Sequence, residues 1–213
     1  RGLVLAEAMT LYHMPLYKRL RELTRSGALG PLRMLQLNFG SYKEYDMANR
    51  FFNPRLAGGA LLDIGVYALS FACWFLSEPP TQVLSQMKPA PSGVDEQAGI
   101  LLSNDAGEMA TIALTLHAKQ PKRGLAAFEK GYIEVLEYPR AQEAVITWTE
   151  DGRREVIREG NTADALRYEI QDMERAVAGE GNEMCLDFTR DVMTVMTSLR
   201  QEWGLVYPEE EEG

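Results

Sequence analysis

Between Thr81 and Arg158 the chain alternates apolar and polar residues in short runs separated by turn-forming residues, and this block limits the possible fold more than any other stretch. The runs are Gln82–Met87, Glu96–Ser103, Glu108–His117, Gly124–Glu129, Tyr132–Leu136, Ala144–Thr149 and Arg153–Arg158. A period of two places successive side chains on opposite faces of a pleated strand. Asn104-Asp105-Ala106-Gly107 and Asp151-Gly152 supply the residues that tight hairpins demand. Successive hairpins predict a large, open, mostly antiparallel sheet.

The flanks read as helical. Pro15 to Ser26 carries Leu16, Leu20 and Leu23 at helical spacing, with Pro at the first turn and Gly27 at the stop. Ala60 to Leu76 is apolar on nearly every side, which predicts a helix buried among other elements and ending before Pro79-Pro80. Two more helices are expected over Ala163–Ala178 and Phe188–Trp203, with Asp187 as N-cap of the second. Met34 to Tyr42 reads as a strand, Lys43 to Ala57 as a polar loop, and Leu3 to Ala8 as a buried parallel strand. The fold class that follows is α+β, an open, largely antiparallel sheet with helices on one face. The opening strand and helix fit that sheet poorly. Residues 1–30 therefore read as the last strand and helix of a preceding α/β domain, 31–207 as the main domain, and 208–213 as an unstructured acidic tail. A chain that enters a core strand at once is expected to be a piece of a longer protein.

Charge and cysteine usage narrow the function classes. Removing the four glutamates Glu209 to Glu212 from the formal net charge of −9 leaves −5 on the body. That argues against a nucleic-acid-binding face, which needs clustered Lys and Arg. No run reads as a bilayer-spanning segment or a secretory signal, so no membrane partner is expected. Cys73 and Cys185 stand alone in apolar surroundings and read as buried thiols of a reducing compartment, the cytoplasm. Two distant histidines and no cysteine cluster make a metal site an unsuitable reading.

Chemistry concentrates in Gly58-Gly59-Ala60-Leu61-Leu62-Asp63-Ile64-Gly65-Val66-Tyr67. Asp63 and Tyr67 are four residues apart, which on an α-helix puts both side chains on one face. A carboxylate buried in an apolar helix must meet water, a cation or a donor. Gly58, Gly59 and Gly65 permit positive φ or close approach of a ligand or backbone. From the residues alone two readings stand: a capped core helix with a satisfied tyrosine, or a site that positions a hydroxyl-bearing substrate and moves its proton. His13 reads either as a substrate-facing group or as a partly exposed helix-start histidine. His117 with Lys119, Lys122 and Arg123 reads as a solvated basic loop. Glu169, Asp172 and Glu174, interleaved with Arg167 and Arg175, read as a solvated helix face. Met184, Met193 and Met196 read as core filler.

The Gly58-to-Tyr67 segment resembles the signature of the Gfo/Idh/MocA oxidoreductases. The resemblance extends in order through Glu7-Ala8-Met9, Pro15, Ser26-Gly27-Ala28-Leu29-Gly30, Arg50 with Asn53-Pro54, and Lys130-Gly131. It implies a dinucleotide-binding Rossmann domain upstream, NAD or NADP as cofactor bound mainly by that domain, and hydride exchange with a sugar, polyol or diol. It implies Tyr67 as the proton donor or acceptor and Asp63 as the group that orients substrate or Tyr67. Glu7, His13, Gly58, Gly59 and Gly65 would lie near substrate or cofactor. The chain has no G-x-G-x-x-G, and the family's Glu-Lys-Pro segment would lie before Arg1. By this resemblance the fragment alone would be inactive, and two copies would pair through the open sheet face. Ala57 replaces the first of three usual glycines, and Tyr12-His13 stands where one branch has Arg-Phe. The alternative from the same fold is a non-catalytic ligand-sensing or scaffold member.

Overall fold

The structure, a computed structural model, describes residues 3–211. One eight-stranded sheet runs through it: β1 (Leu32–Gly40), β2 (Gln82–Pro89), β3 (Asp95–Ser103), β4 (Met109–Thr115), β5 (Gln120–Phe128), β6 (Gly131–Leu136), β7 (Glu143–Trp148) and β8 (Arg154–Arg158). Their spatial order is β2-β3-β4-β1-β5-β6-β7-β8. β1 pairs in parallel with β4 and antiparallel with β5, and every other pairing is antiparallel. The expected open, mostly antiparallel sheet is present. Its alternation is clean on β1, where Leu35, Leu37 and Phe39 are buried while Gln36 is exposed.

The helices are α1 (Thr10–His13), α2 (Pro15–Arg25), α3 (Val66–Phe75), α4 (Ala165–Ala178), α5 (Leu186–Trp203) and α6 (Pro208–Glu211). α3 lies across β1 and β5, α5 packs on α3 and β2, and α4 packs on α1. Phe71 of α3 fits against the sheet because β5 carries Gly124 beneath it. A Cβ there would meet the Phe71 ring at 2.6 Å. Around Phe71 the rings of Tyr17, Phe75 and Tyr138 close the centre of the core. The stretch Pro54–Phe75 is long and apolar enough to cross a bilayer, contrary to the sequence reading, but 67% of its apolar window is buried inside the fold. Such a stretch is a core element here.

Several expectations are corrected. Leu3 to Ala8 forms no strand, and Leu3 and Leu5 are 84% and 72% exposed. A single extended segment gains nothing from a sheet in which none of the eight strands accepts it. α2 packs on this core through fully buried Leu16, Tyr17 and Leu20. Asp187 lies inside the first turn of α5, and Cys185, in a left-handed conformation with φ 53°, takes the N-cap position. Of the three methionines read as core, Met193 is 47% exposed while Met184 and Met196 are buried. Pro208–Glu211 forms a final helical turn where an unstructured tail was expected; Glu212 lies outside the described residues.

Candidate active site

The segment before Tyr67 is shaped by a chain of local bonds. Asn53 opens a short 3-10 turn, Pro54–Leu56, by accepting from the Arg55 N–H at 2.9 Å. Ala57 follows in the left-handed region, φ 52°. Gly58 and Gly59 then donate back to the carbonyls of Asn53 and Phe51, each at 3.0 Å. Both glycines are required by protein, not by an open ligand cleft. A Cβ on Gly58 would meet the Arg50 carbonyl at 2.8 Å, and one on Gly59, φ +121°, would meet Asp95 Oδ1 at 2.0 Å. Gly65 is likewise pressed between Leu114 and Leu61.

The helix does not start as an α-helix. Leu61–Gly65 is a π-turn, with the Val66 N–H bonding to the Leu61 carbonyl, and α3 follows. One extra residue in that turn loosens the one-face stacking of Asp63 and Tyr67 that a four-residue spacing predicts. Asp63 turns instead to Arg50, whose Nη1 lies 2.7 Å from its carboxylate. Arg50 is itself seated over the Phe51 ring. The cation demanded by a mostly buried carboxylate thus comes from the Lys43–Ala57 loop. No hydrogen bond joins Asp63 to Tyr67 among the described residues.

Tyr67 is half-buried with its ring against Phe39, 6.1 Å between centroids. Its hydroxyl has no hydrogen-bond partner among the described residues. Tyr67 lines a cavity of about 690 Å³ whose other walls include Phe39, Lys122, Arg140, Gln142 and Thr162. Lys122 is paired with Glu137 at 3.0 Å. The far wall is the 3-10 turn Tyr138–Arg140, entered through Glu137 at φ 49°. Three hydroxyls hold its successive carbonyls: Tyr17 on Tyr138 at 2.6 Å, Thr10 on Pro139 at 3.4 Å, and Thr162 on Arg140 at 2.8 Å. A wall fixed from three elements is a preorganised one.

His13 and Asp172 are brought together elsewhere. His13 is buried, neither partly exposed nor on the Tyr67 cavity, and its Nδ1 lies 2.7 Å from Asp172 Oδ2. Asp172, expected on a solvated face, is only 3% exposed and also receives Lys18 at 2.9 Å and Arg175. Burial pushes its carboxyl up, but the hydrogen bonds of His13 and Lys18 outweigh it and hold it below the usual range. Glu7 is half-buried beside α4, with one carboxylate oxygen unpartnered. His117 is stacked on Tyr45 at 4.0 Å, and its Nδ1 lies 2.9 Å from the Lys43 carbonyl, so it is an ordered loop residue. Cys73 and Cys185 are free thiols, the first buried and the second half-buried.

Sequence reasoning missed Asp95 and Tyr207. Asp95 Oδ2 accepts from the Leu61 N–H at 2.6 Å, and the Tyr207 hydroxyl donates to the Gly58 carbonyl at 2.7 Å. Gly93-Val94-Asp95-Glu96 reads as turn and strand start, and nothing in its spacing points to a helix dozens of residues earlier.

A family model for the GFO/IDH/MocA C-terminal domain matches residues 17–134. Over 213 aligned residues the chain is 25% identical to trans-1,2-dihydrobenzene-1,2-diol dehydrogenase of Xenopus laevis, an alignment covering 96% of this chain and 64% of that protein. It is 27% identical to scyllo-inositol 2-dehydrogenase (NADP(+)) IolU of Bacillus subtilis, covering 97% of this chain and 64% of that one. Among solved structures, aldose-aldose oxidoreductase of Caulobacter crescentus, complexed with glycerol, superposes with a TM-score of 0.79 at 20% identity, over 93% of this chain and 62% of its own. The chain thus spans slightly less than two thirds of the relatives it matches. With the signature segment folded as a helix start against an open sheet, and with more than half of the chain matched in register, the chain belongs to the GFO/IDH/MocA family, whose C-terminal domain it carries.

Proposed function

We propose that this chain is the substrate-side part of an NAD(P)-dependent oxidoreductase acting on a sugar, polyol or diol, with Tyr67 as proton donor or acceptor. The observation that carries the reading is Tyr67 on the wall of a braced cavity of about 690 Å³, its hydroxyl without a hydrogen-bond partner among the described residues. Alcohol oxidation must remove a proton from the hydroxyl as hydride leaves the carbon, and a positioned base contributes about 10²–10⁴-fold. Asp63, held by Arg50, orients a substrate hydroxyl at the same helix end. Lys122, Arg140, Gln142 and Thr162 offer donors and acceptors for further hydroxyls.

The nicotinamide supplies the hydride exchange when bound. At Gly58 and Gly59 protein atoms fill the space that a pyrophosphate would need. Dinucleotide binding is therefore assigned to a preceding Rossmann domain, and residues 3–8 to its last strand. Exposed Leu3 and Leu5 support this, as do exposed Ile170 and Val177 on α4 beside Ala6 and Ala8. Without that domain the chain is not expected to turn over substrate. The open face carries exposed Leu84, Tyr132, Leu136 and Val156, which supports pairing with a second copy. Free, unpaired Cys73 and Cys185 support a reducing, cytoplasmic setting.

The test uses the full-length protein. Cofactor reduction is followed across a panel of sugars, polyols and diols, with Tyr67→Phe compared on any substrate found. Turnover that falls at least about 10²-fold in Tyr67→Phe supports the assignment. Unchanged turnover refutes it. Cofactor binding with no turnover on the panel favours the ligand-sensing alternative. Sedimentation showing a strict monomer refutes pairing through the sheet.

A further inference from the structure

The start of the Tyr67 helix is held from outside at three of its first four residues. The Tyr207 hydroxyl takes the Gly58 carbonyl, Gly59 leaves space for the Asp95 carboxyl, and Asp95 takes the Leu61 N–H. Asp95 is the first residue of β3 and is 0% exposed. Its second oxygen, Oδ1, is buried with no partner among the described residues. A carboxylate so placed, with no cation in contact, is costly to bury. A neutral cap would satisfy the same amide at lower cost. The carboxylate has one advantage over a neutral cap: its charge aligns with the helix dipole and holds the amino end more firmly.

We propose that Asp95 is a positioning residue for the reaction at Tyr67, fixing the start of the helix through Leu61 and thereby the direction of Asp63 and Tyr67. The proposal rests on the assignment of Tyr67 made above. Burial pushes the Asp95 carboxyl up to about 7, against the opposing pull of the Leu61 N–H, of neighbouring backbone N–H groups and of the Arg200 charge. The charged and titratable groups that act on it are Arg200 on α5 and Tyr207; Arg200 in turn is bound by Glu210 on α6, which also accepts from the Tyr207 N–H. Loss of the Asp95 charge near neutral pH loosens the grip on Leu61. A shift of about 1 Å in a catalytic group costs about 10²-fold in rate.

The experiment compares full-length wild type with Asp95→Asn, which keeps the shape and one acceptor oxygen, and with Asp95→Ala, which removes both. The expected result is a fall in kcat with the cofactor KM within about twofold, larger in Asp95→Ala, approaching 10²-fold. Wild-type kcat should show an acid limb near neutral pH that Asp95→Asn lacks. Amide exchange at Leu61, Leu62 and Asp63 gives a readout independent of turnover. Protection there should fall with acid in wild type and be low and flat with pH in Asp95→Asn. Wild-type kcat, pH profile and Leu61 protection in Asp95→Asn would overturn the proposal. So would a loss of activity that only tracks the folded fraction. If Asp95→Ala does not fold, Asp95→Asn decides. If wild type turns over nothing, the Tyr67 assignment fails, while exchange at Leu61 still tests the grip of Asp95.

Discussion

Gly124→Ala tests whether the helix that carries Tyr67 is seated on the sheet by contact at one point. A new Cβ would stand 2.6 Å from Phe71 Cζ and 2.7 Å from Cε2, where ordinary contact begins at 3.4 Å. The ring or the strand must therefore give by about 0.8 Å. Phe71 cannot slide aside, because it is fully buried and packed on Phe75, Tyr138 and Tyr17 at 4.8, 5.4 and 6.0 Å between centroids. Gly124 cannot retreat, because it is paired with Leu37 on one side and Val135 on the other. Overpacking of this kind costs about 1–3 kcal/mol. In a chain of this length each kcal/mol lowers Tm by about 2–4 °C. Urea unfolding should show a lower midpoint with an unchanged slope. Adding Phe71→Leu should recover part of the loss, with a coupling energy of at least about 0.5 kcal/mol. A loss below about 0.5 kcal/mol in Gly124→Ala, or strict additivity in the pair, refutes the argument that this contact sets the helix height.

Two further outcomes follow from buried polar groups. Tyr17→Phe removes the 2.6 Å bond to the Tyr138 carbonyl and leaves that carbonyl buried; calorimetry should show a loss of about 1–3 kcal/mol. Asp172 has its carboxyl held below the usual range, so its stabilisation is complete above the unfolded value of about 3.9 and is lost as pH falls through the lower folded value. Asp172→Asn should flatten this acid dependence of stability and cost about 1–3 kcal/mol at neutral pH, less whatever solvent already screens from half-exposed Lys18 and Arg175; an unchanged acid limb in urea titrations contradicts it.

Much of the fold could be read from local pattern. The seven alternating runs became β2 to β8 within a few residues at each end, because hairpin strands are specified by neighbours in sequence. The place of β1 could not be read. It lies between β4 and β5, and the apolar alternation of Met34 to Tyr42 says that a strand exists without naming its partners. The opening segment misled in the opposite direction: Leu3-Val4-Leu5-Ala6 has the composition of a buried strand, but composition does not supply a sheet to join. At the site, Asp63 and Tyr67 stood out because polar groups on an apolar helix are conspicuous. The π-turn between them did not, since no residue type demands one. His13 and Asp172 are 159 residues apart and each looked ordinary in its own helix. Only packing of α1 on α4 makes them a buried pair.

The place of β1 has a consequence for how the chain reaches its final form. β2-β3-β4 and β5-β6-β7-β8 are two meanders, each built from contacts between strands adjacent in sequence. Local contacts of that kind form early and independently, because little loop entropy is lost in closing them. No strand of one meander pairs with a strand of the other. They are joined through β1, which is synthesised first and must wait, with both edges unpaired, until strands about 70 to 95 residues later are available. Closure of the sheet is thus one late event with both long-range partners at stake. Until it happens, Leu35, Leu37 and Phe39 form an uncovered apolar face on a strand with both edges open. A lesion in β1 should therefore show itself less as a softened native state than as slow, aggregation-prone refolding of two half-sheets that have each already formed.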